Sequence, residues 1–532
     1  MSDAQPASPP RRRALGLLAA VGVEAASGLR GVLAQGVAPA VITRDALRPM
    51  LPCGVMSGDV TDDRAIVWSR ASRTARMRVE IATTESMRDA RTLIGPTALA
   101  RDDFTARIDL RGLAAGQTYF YRVAFEDVND ARLVSVPVTG RFRTPARRPR
   151  DVVFAFTGDE AGQGWGIDEA RGGYRVYEAM RRFEPDFLVH SGDQIYADAP
   201  ILPEVKLDDG SWWKNIVTPA KDRVAETLDD FRGNFAYNFL DANKRRFCAE
   251  VPMLVQWDDH ETRNNWYPGQ RIDDPKYGER DASLLSTRAK RAMFEYNAMR
   301  FDESDPARVY RAFRMGPLLD VFMLDERSYR GANSPNRQAS GADADFLGPA
   351  QMRWLERALL ASRATWKLIA SDMPLSIVVA DPQVGPQRTF EAWANADDGA
   401  PSGRELEVAA LLGFIKRHRI ENVVWVTADV HYASATQYRP ELARYTDFEP
   451  FWEFVGGPLH AGTFGPNALD RTFGPDVKFV SIPADLKQNR PPSDGDQFFG
   501  IGRIDATTRA MTVSLHGADG RSLYQVEIPP AA

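Results

Sequence analysis

Carboxylates and imidazoles recur in this sequence directly after short apolar segments, and groups of these types can bind metal ions. The residues concerned are Asp159, Asp193, Asp258, Asp259, His260, Asp429 and His431. Tyr196, three residues after Asp193, could add a phenol oxygen at the same place. Clustered carboxylates raise one another's pKa unless a cation neutralises them, and oxygen and imidazole ligands suit hard or borderline cations. If these residues meet in the folded chain, they form a metal site.

The number of carboxylates favours two metal ions over one. Asp193 is central to the pattern, and its carboxylate could bridge the two ions. Paired ions a few ångströms apart clamp the attacking and leaving oxygens of phosphoryl transfer and lower the pKa of bound water. The expected ligands are Asp159, Asp193, Tyr196, Asp259, Asp429 and His431.

His260 is not needed as a metal ligand and could instead contact the substrate. It could donate a hydrogen bond or a proton to the substrate phosphate, which is the role of a general acid. Four further residues are expected to bind substrate or to support the ligands, and they are Asp258, Asn264, Asn265 and Arg404. A solvated acidic loop at residues 258–261 is the alternative explanation for the carboxylates there.

Each of these groups follows a segment typical of a buried parallel strand. The segments are residues 152–156, 187–189, 251–257 and 422–426, and Gly158 and Gly192 precede the first two aspartates. Ligands of open α/β sheets bind at the carboxyl ends of the strands, where the loops converge. We therefore expect all four groups to meet at one face of one sheet.

Helical segments alternate with these strands, as in an α/β domain. Helices are predicted at residues 174–183, 222–250, 347–362 and 405–419, further strands at residues 318–324 and 366–370, and a closing hairpin from residue 500. The glycine-rich residues 161–166 lack the lysine and the spacing of a phosphate-binding loop, so we interpret them as a flexible rim. The pattern assigns residues 151–530 to the α/β domain.

Residues 50–145 have a different pattern, with period-two alternation and Gly, Asp and Asn at the turns. Leu113 and Gly116 shortly before the tyrosine-rich residues 119–121 are typical of a corner in a fibronectin-type sandwich. The segment therefore predicts a small fibronectin- or immunoglobulin-like β-sandwich with no chemistry of its own.

The N-terminal residues have the order of an export signal. Arg11, Arg12 and Arg13 precede the apolar residues 14–23, and residues 32–34 could form a cleavage site. This order with paired arginines is that of a twin-arginine signal, and ten apolar residues are too few to span a bilayer. We predict an export signal over residues 1–34 and a periplasmic or secreted protein, against the alternative of a disordered basic tail.

The composition limits the partners that the chain can have. Its 532 residues carry a net charge of −5, which indicates neither a nucleic acid nor an anionic membrane as partner. Outside the N-terminus no segment is apolar enough to cross a membrane. Cys53 and Cys248 are too few for a disulfide scaffold or a cysteine-rich zinc site. Their pairing stays open, as does the oligomeric state.

Several short motifs are spread over most of the chain in a fixed order. They are Gly54-Val-Met-Ser-Gly-Asp59 with Val67-Trp-Ser-Arg70, Gly192-Asp-Gln-Ile-Tyr196, Trp257-Asp-Asp-His-Glu261, Leu324-Asp-Glu-Arg327, residues 347–355 (Leu-Gly-x-x-Gln-x-x-Trp-Leu) and Ala428-Asp-Val-His431. In type and order they resemble the PhoD-type alkaline phosphatases and phosphodiesterases, a group of metallophosphoesterases that includes some metal-dependent phospholipases D. The resemblance implies a β-sandwich followed by a four-layer α/β/β/α domain, with a site that holds ferric iron and calcium.

One residue departs from the pattern of that family. The first catalytic strand typically ends in Ser-Cys, whose thiolate binds iron, whereas here it ends in Gly158-Asp159. A carboxylate at this place is what the broader metallophosphoesterases use. Metal binding is therefore still expected, and zinc or manganese becomes an alternative to iron and calcium.

The function expected from these observations is hydrolysis of phosphate esters by a metal-activated hydroxide at a dinuclear or trinuclear site. Small phosphodiesters are the expected substrates, although the preference between monoesters and diesters stays open. Hydrolysis of phospholipids is an alternative, since residues 161–166 resemble the phospholipase-like branch. A non-catalytic cell-surface binding protein is another, but it would have no physical reason to keep Asp193, His260 and His431 together.

Overall fold

A computed structural model describes residues 45–381 and 388–531 of the chain. The export signal predicted for residues 1–34 lies outside these residues. Within them, no helix is both long enough and apolar enough to cross a membrane.

The first seven strands form a β-sandwich, as the alternating pattern predicts. They are β1 (Val55–Gly58), β2 (Arg64–Arg70), β3 (Ala75–Ala82), β4 (Arg91–Ala98), β5 (Thr105–Arg111), β6 (Thr118–Asp127) and β7 (Val138–Arg143). Strands β4, β3, β6 and β7 form one sheet, and their inward side chains pack against β1, β2 and β5. The corner at Leu113 is present, because the Tyr119 hydroxyl accepts a hydrogen bond of 2.7 Å from the Ala114 amide.

The rest of the chain alternates strands and helices. The strands are β8 (Val152–Thr157), β9 (Phe187–Ser191), β10 (Glu204–Lys206), β11 (Trp212–Lys214), β12 (Met253–Gln256), β13 (Arg311–Arg314), β14 (Leu319–Met323), β15 (Trp366–Ala370), β16 (Ala380–Asp381), β17 (Thr389–Phe390), β18 (Val423–Thr427), β19 (Ser434–Tyr438), β20 (Phe451–Val455), β21 (Pro475–Val480), β22 (Phe498–Ile504), β23 (Met511–Gly517) and β24 (Ser522–Ile528). The helices are α1 (Arg175–Arg181), α2 (Leu228–Asn238), α3 (Ala242–Glu250), α4 (Ala282–Tyr296), α5 (Gly348–Ala361) and α6 (Glu405–Arg417).

Two large sheets form the centre of the molecule. The first has the strand order β24-β23-β22-β8-β9-β12-β1-β2-β5, and the second has the order β13-β14-β15-β18-β20-β19-β21. Strands β8, β9 and β12 are mutually parallel in the first sheet, as are β14, β15, β18 and β20 in the second. The strand that carries Asp429 and His431 therefore belongs to the second sheet, and the expectation of a single sheet is wrong.

The side chains of the central strands explain why the two sheets pack face to face. Successive residues of a strand point to opposite faces. In β8, Phe154 and Phe156 contact the second sheet, whereas Ala155 between them faces helices. Because both faces of the strand are covered, its sequence is a continuous apolar run instead of an alternating one.

Helices cover the two outer faces and complete the four layers. Helices α1 to α4 pack on the first sheet through side chains such as Tyr177 and Phe247, and α5 and α6 pack on the second through Leu355 and Leu412. The predicted four-layer α/β/β/α fold behind a β-sandwich is confirmed. The elements that had no prediction from the sequence are the helix α4 and the strands β1, β4, β10, β11, β13, β16, β17, β19, β20, β21 and β24.

The sandwich and the α/β layers share one sheet. Strand β1 pairs with β2 on one side and runs parallel to β12 on the other, at Gly58 and Met253. A Cβ atom on Gly58 would lie 2.7 Å from the Met253 carbonyl oxygen, so only glycine allows this approach. The domain boundaries at residues 50–145 and 151–530 stay a prediction.

Candidate metal centre

The predicted carboxylates and imidazoles meet where the carboxyl ends of β8, β9, β12 and β18 come together. Three overlapping groups of residues could each hold a metal ion. Within each group, the potential ligand atoms all lie within 4.8 Å of one another. The groups are Asp159, Asp193 and His431, then Asp193, Asp259 and His260, and then Asp258, Asp259 and Asp429. Asp193 is shared by the first two groups, which is the place that a bridging carboxylate would take.

The backbone at these residues is strained in the same way. Asp159, Asp193, Asp429 and His431 have φ values of 61°, 51°, 67° and 63°. Non-glycine residues rarely adopt this left-handed conformation, which costs on the order of 1–3 kcal/mol each and is concentrated at functional sites. The packed strands hold the chain in this conformation, which turns the side chains towards one another beyond the strand ends.

Glycines before the aspartates allow the loops to approach closely. A Cβ atom on Gly192 would lie 2.4 Å from the Cβ atom of Asp258. A Cβ atom on Gly158 would lie 2.6 Å from that of Ala428, which belongs to the other sheet. The small residue at 158 is therefore what lets the two sheets bring their ligands together.

Tyr196 lies inside the site. Its hydroxyl group is 2.8 Å from Nε2 of His431, and its ring centroid is 4.2 Å from that of His260. A Cβ atom on Gly162 would lie 2.3 Å from the Tyr196 ring, so residue 162 passes directly against it. The interpretation of residues 161–166 as a flexible rim is wrong: Ala161 is 1% exposed, and the Trp165 indole donates a hydrogen bond to Asn489.

His260 is held by a carboxylate that the sequence did not single out. Its Nδ1 atom is 2.7 Å from Oδ1 of Asp198, and its backbone amide donates to Oδ1 of Asp193 at 3.1 Å. Burial alone would lower the pKa of His260, but Asp198 and Asp259 raise it to about 9. These carboxylates therefore favour the protonated imidazole, with Nδ1–H donated to Asp198.

Asn264 and Asn265 act through their backbone amides. The Asn264 amide donates to Oδ2 of Asp198 at 2.7 Å, and the Asn265 amide donates to Oδ2 of Asp259 at 2.5 Å. The first bond fixes Asp198, which holds His260. The second fixes Asp259, which belongs to two of the candidate ligand groups.

Glu261 joins the loops that follow β9 and β12. Its two carboxylate oxygens accept hydrogen bonds from the amides of Gln194 at 2.6 Å, Asp258 at 2.9 Å and Asp193 at 3.2 Å. Glu261 therefore positions Asp193 relative to Asp258 without itself belonging to a candidate ligand group.

Arg327 supplies positive charge at one side of the site. Its guanidinium group is fully buried and forms ion pairs with Asp258, Asp372 and Glu391. Burial alone would lower the pKa of Arg327, but these carboxylates, Asp258 foremost, raise it well above its usual value. Arg327 therefore stays charged and neutralises part of the acidic cluster.

Arg404 lies one layer further back. Its guanidinium group donates to the carbonyl oxygens of Phe390, Glu391 and Ala392 and to the side chain of Asn333. With its donors engaged by protein oxygens, it supports the segment that carries Glu391 and does not reach the metal-binding groups directly.

Asp159 and Asp193, which form no ion pair with Arg327, fit a bound cation. Neither oxygen of the Asp159 carboxylate has a hydrogen-bond partner among the described residues, although the side chain is buried. Burial raises the pKa of Asp159 to about 8 and that of Asp193 well above its usual value. Burying unpaired carboxylates is costly, and a metal ion would supply the missing partner.

Comparisons with known proteins agree with this geometry. Residues 154–515 match the PhoD-like phosphatase family, and residues 36–146 match the N-terminal domain of PhoD-like phosphatases. Alkaline phosphatase D of Bacillus subtilis is 26% identical over 441 residues, which cover 79% of this chain and 70% of that protein.

Solved structures share the fold. One described as PhoD has a TM-score of 0.65 at 19% identity and covers 91% of this chain and 92% of its own. The purple acid phosphatase PPD1 from yellow lupin has a TM-score of 0.54 at 13% identity, over 91% of this chain and 74% of its own.

Fold, site and relatives together place the protein among the phosphoesterases, which are hydrolases. Within that class, the chain belongs to the PhoD-like phosphatase family, because the family match covers more than half of it. The predicted resemblance is confirmed.

Three contributors to the site were not predicted from the sequence. Asp198 lies two residues after Tyr196, and only its contact with His260 distinguishes it from a solvated loop residue. Glu261 and Arg327 lie within two of the short motifs that resemble the family, but nothing in the sequence shows what they contact. The carboxylate partners Asp372 and Glu391 come from segments far away along the chain.

We expect the metal-free protein to lose stability as the pH rises from about 4 to about 8. The pKa of Asp159 is near 4 in the unfolded chain and about 8 in the folded one. Between these values the folded state binds more protons, so the free energy of unfolding falls with pH, by about 1.4 kcal/mol per pH unit for each extra proton. Urea unfolding of metal-stripped protein at a series of pH values measures this slope.

Asp159→Asn is the matched variant for this measurement, because it keeps the shape and removes the titrating group. We expect a shallower slope for it than for the metal-stripped wild type. Equal slopes in the two proteins would contradict the assignment of the proton to the buried Asp159 cluster.

Proposed function

We propose that the protein hydrolyses phosphate esters, with small phosphodiesters or phosphomonoesters as substrates, and that it depends on bound metal ions. The observation that carries the proposal is the set of three overlapping ligand groups at the strand ends, in which neither oxygen of the Asp159 carboxylate has a hydrogen-bond partner among the described residues. Membership of the PhoD-like phosphatase family supports the same reaction.

The proposed ligands are Asp159, Asp193, Tyr196, Asp259, Asp429 and His431. When bound, metal ions would lower the pKa of water and offset the charge of the phosphoryl group. Ferric iron and calcium are the proposed ions, and zinc or manganese are the alternative, because Asp159 replaces the thiolate of the family pattern and carboxylate oxygens also bind zinc and manganese.

Protein side chains have distinct parts in this proposal. His260 holds a proton, and its Nδ1 atom points to Asp198. Its Nε2 atom lies 3.9 Å from Oδ1 of Asp259. The proton can pass to the leaving oxygen of the ester. The ring of Tyr196 limits the rotation of His260 by packing against it.

Localisation follows from the N-terminal pattern and is part of the proposal. A twin-arginine signal over residues 1–34 would export the folded protein to the periplasm or the medium. Extracellular phosphate esters would then be the accessible substrates.

Chelation tests the dependence on metal. We expect exhaustive treatment with a chelator to abolish hydrolysis of a chromogenic phosphodiester and to lower the melting temperature in the same samples. Loss of the cations leaves the carboxylates to repel one another, and a ligand that binds only the folded state stabilises it. Full activity after metal loss has been confirmed by elemental analysis would refute the metal-centre proposal.

His260→Ala is expected to lower kcat by about 10²–10⁴-fold, the usual contribution of a general acid, with metal content near that of the wild type. Asp198→Asn should cause a smaller loss and shift the alkaline limb of the pH–rate profile to lower pH, because Asp198 helps to keep the imidazole protonated. The exposed His418→Ala serves as the control. If His260→Ala empties the site of metal, His260 is a ligand and not the general acid.

The colour of the protein tests the Tyr196 and iron assignments. A phenolate on ferric iron gives a visible charge-transfer band, so we expect the iron-loaded protein to be coloured and Tyr196→Phe to lose most of that colour. Tyr119→Phe in the sandwich is the control, and Asp159→Cys should add a sulfur contribution to the band. A colourless protein with stoichiometric iron would contradict the Tyr196 assignment, whereas one without iron would overturn only the cofactor.

A further inference from the structure

A polar cavity, separate from the candidate metal centre, lies beside α1 and residues 457–463. Its volume is about 220 Å³, and its polar lining consists of Arg171, Arg175, Trp213, His460, Ser493 and Gln497. This lining includes no residue of the three candidate ligand groups found in the described part of the chain. The cavity is smaller than the roughly 300–1,000 Å³ of sites for drug-sized ligands, so it suits a compact ligand.

Gln497 is the most informative residue of this cavity. Its side chain is 2% exposed, and neither the oxygen nor the nitrogen of its amide has a hydrogen-bond partner among the described residues. A buried polar group without a partner costs about 1–3 kcal/mol. A ligand that both accepts and donates hydrogen bonds would remove this cost.

His460 offers the cavity an acceptor. Its Nε2 atom is 3.0 Å from the Gly166 carbonyl oxygen, which can only accept, so Nε2 carries the proton. In the neutral ring, Nδ1 then has a lone pair that can accept a hydrogen bond from an O–H or N–H donor.

Two guanidinium groups make the cavity positive. Arg171 shares its charge with Asp168, at 3.5 Å, and donates to the Ser211 hydroxyl group. Arg175 donates to the Pro492 carbonyl oxygen and has no carboxylate partner among the described residues. One positive charge is thus left for a ligand.

We propose that this cavity, named here the His460 cavity, is a second phosphate site that binds inorganic phosphate. Phosphate oxygens match the guanidinium donors. A protonated phosphate also carries a P–OH group, which can donate to Nδ1 of His460 or to the Gln497 oxygen. A simple carboxylate has no such donor, which is why phosphate is favoured over acetate-like anions.

The His460 cavity is joined to the metal centre by the backbone. The amides of His460 and Ala461 both donate to the Asp159 carbonyl oxygen at 3.1 Å. Two residues further along the chain from His460, the Gly462 carbonyl oxygen is 2.5 Å from Nδ1 of His431. Phosphate in the cavity therefore fixes the segment that positions Asp159 and His431, and by linkage it strengthens metal binding as much as metal strengthens phosphate binding.

Calorimetric titration of metal-loaded protein with inorganic phosphate tests the site. We expect two phosphates per chain, one at the metal centre and one in the cavity. Arg175→Ala and Gln497→Met should each weaken the second by at least about tenfold. Arg88→Ala, which removes an exposed arginine of the sandwich, should bind both. Titration does not require turnover, so this result is independent of the proposed esterase activity.

Gln497→Met separates a ligand-binding role from a structural one. It replaces an unpartnered amide by an apolar side chain of similar length, so the fold should be kept. A single phosphate in the wild type, or two phosphates in both variants, would overturn the second site. If the cavity holds water alone, the wild type and both variants bind the same single phosphate, which is the first of these patterns.

Metal release tests the coupling. Saturating phosphate should slow the transfer of metal to a competing chelator by about fivefold or more in the wild type, and by clearly less in Arg175→Ala. Equal slowing in the two proteins would assign the whole effect to the metal centre and overturn the coupling.

Discussion

The compensation of negative charge where the two central sheets meet is the constraint on which the site depends. Asp159, Asp193 and Asp258 are buried there, and burial raises the pKa of each. The charge is compensated unevenly. Arg327 neutralises the side of Asp258 permanently, whereas no lysine or arginine in the described part of the chain forms an ion pair with Asp159 or Asp193. The uncompensated side is the one that an exchangeable cation can occupy.

Such a cluster is stable only because the surrounding structure is rigid. The two sheets bury aromatic and aliphatic side chains between them, and buried phenylalanines such as Phe154 typically contribute about 3–5 kcal/mol each when judged by truncation. This packing offsets the strain of the left-handed residues at the strand ends. Glu261 and the amides of Asn264 and Asn265 then hold the carboxylates in fixed positions, so that binding a cation requires little rearrangement.

The β-sandwich has a part in this rigidity. Strand β1 lies directly beside β12, the strand that leads into Asp258, Asp259 and His260. The carboxylate of Asp59, just after β1, accepts a hydrogen bond from the Arg300 amide and forms an ion pair with Arg311. The sandwich is therefore a lateral support of the sheet whose strands lead into Asp159, Asp193 and Asp259. Cys53 and Cys248 are both free and buried in the core beneath this junction, one from each part of the chain.

The sequence by itself determined the central apolar strands, the residues at their ends and the family. Continuous apolar runs ending in glycine and aspartate can be recognised locally, because a strand covered on both faces needs apolar side chains at every position. The sequence also showed that the first 100 or so described residues form a sandwich, through the corner at Leu113 and Tyr119.

Only the tertiary structure decided how these pieces meet. An apolar run does not show which sheet its strand joins. The sequence therefore could not show that β18, which leads into Asp429 and His431, belongs to the second sheet. The contacts of Asp198, Glu261 and Arg327 could not be predicted from the sequence either. Each depends on loops that lie tens of residues apart along the chain and become neighbours only when the two sheets pack.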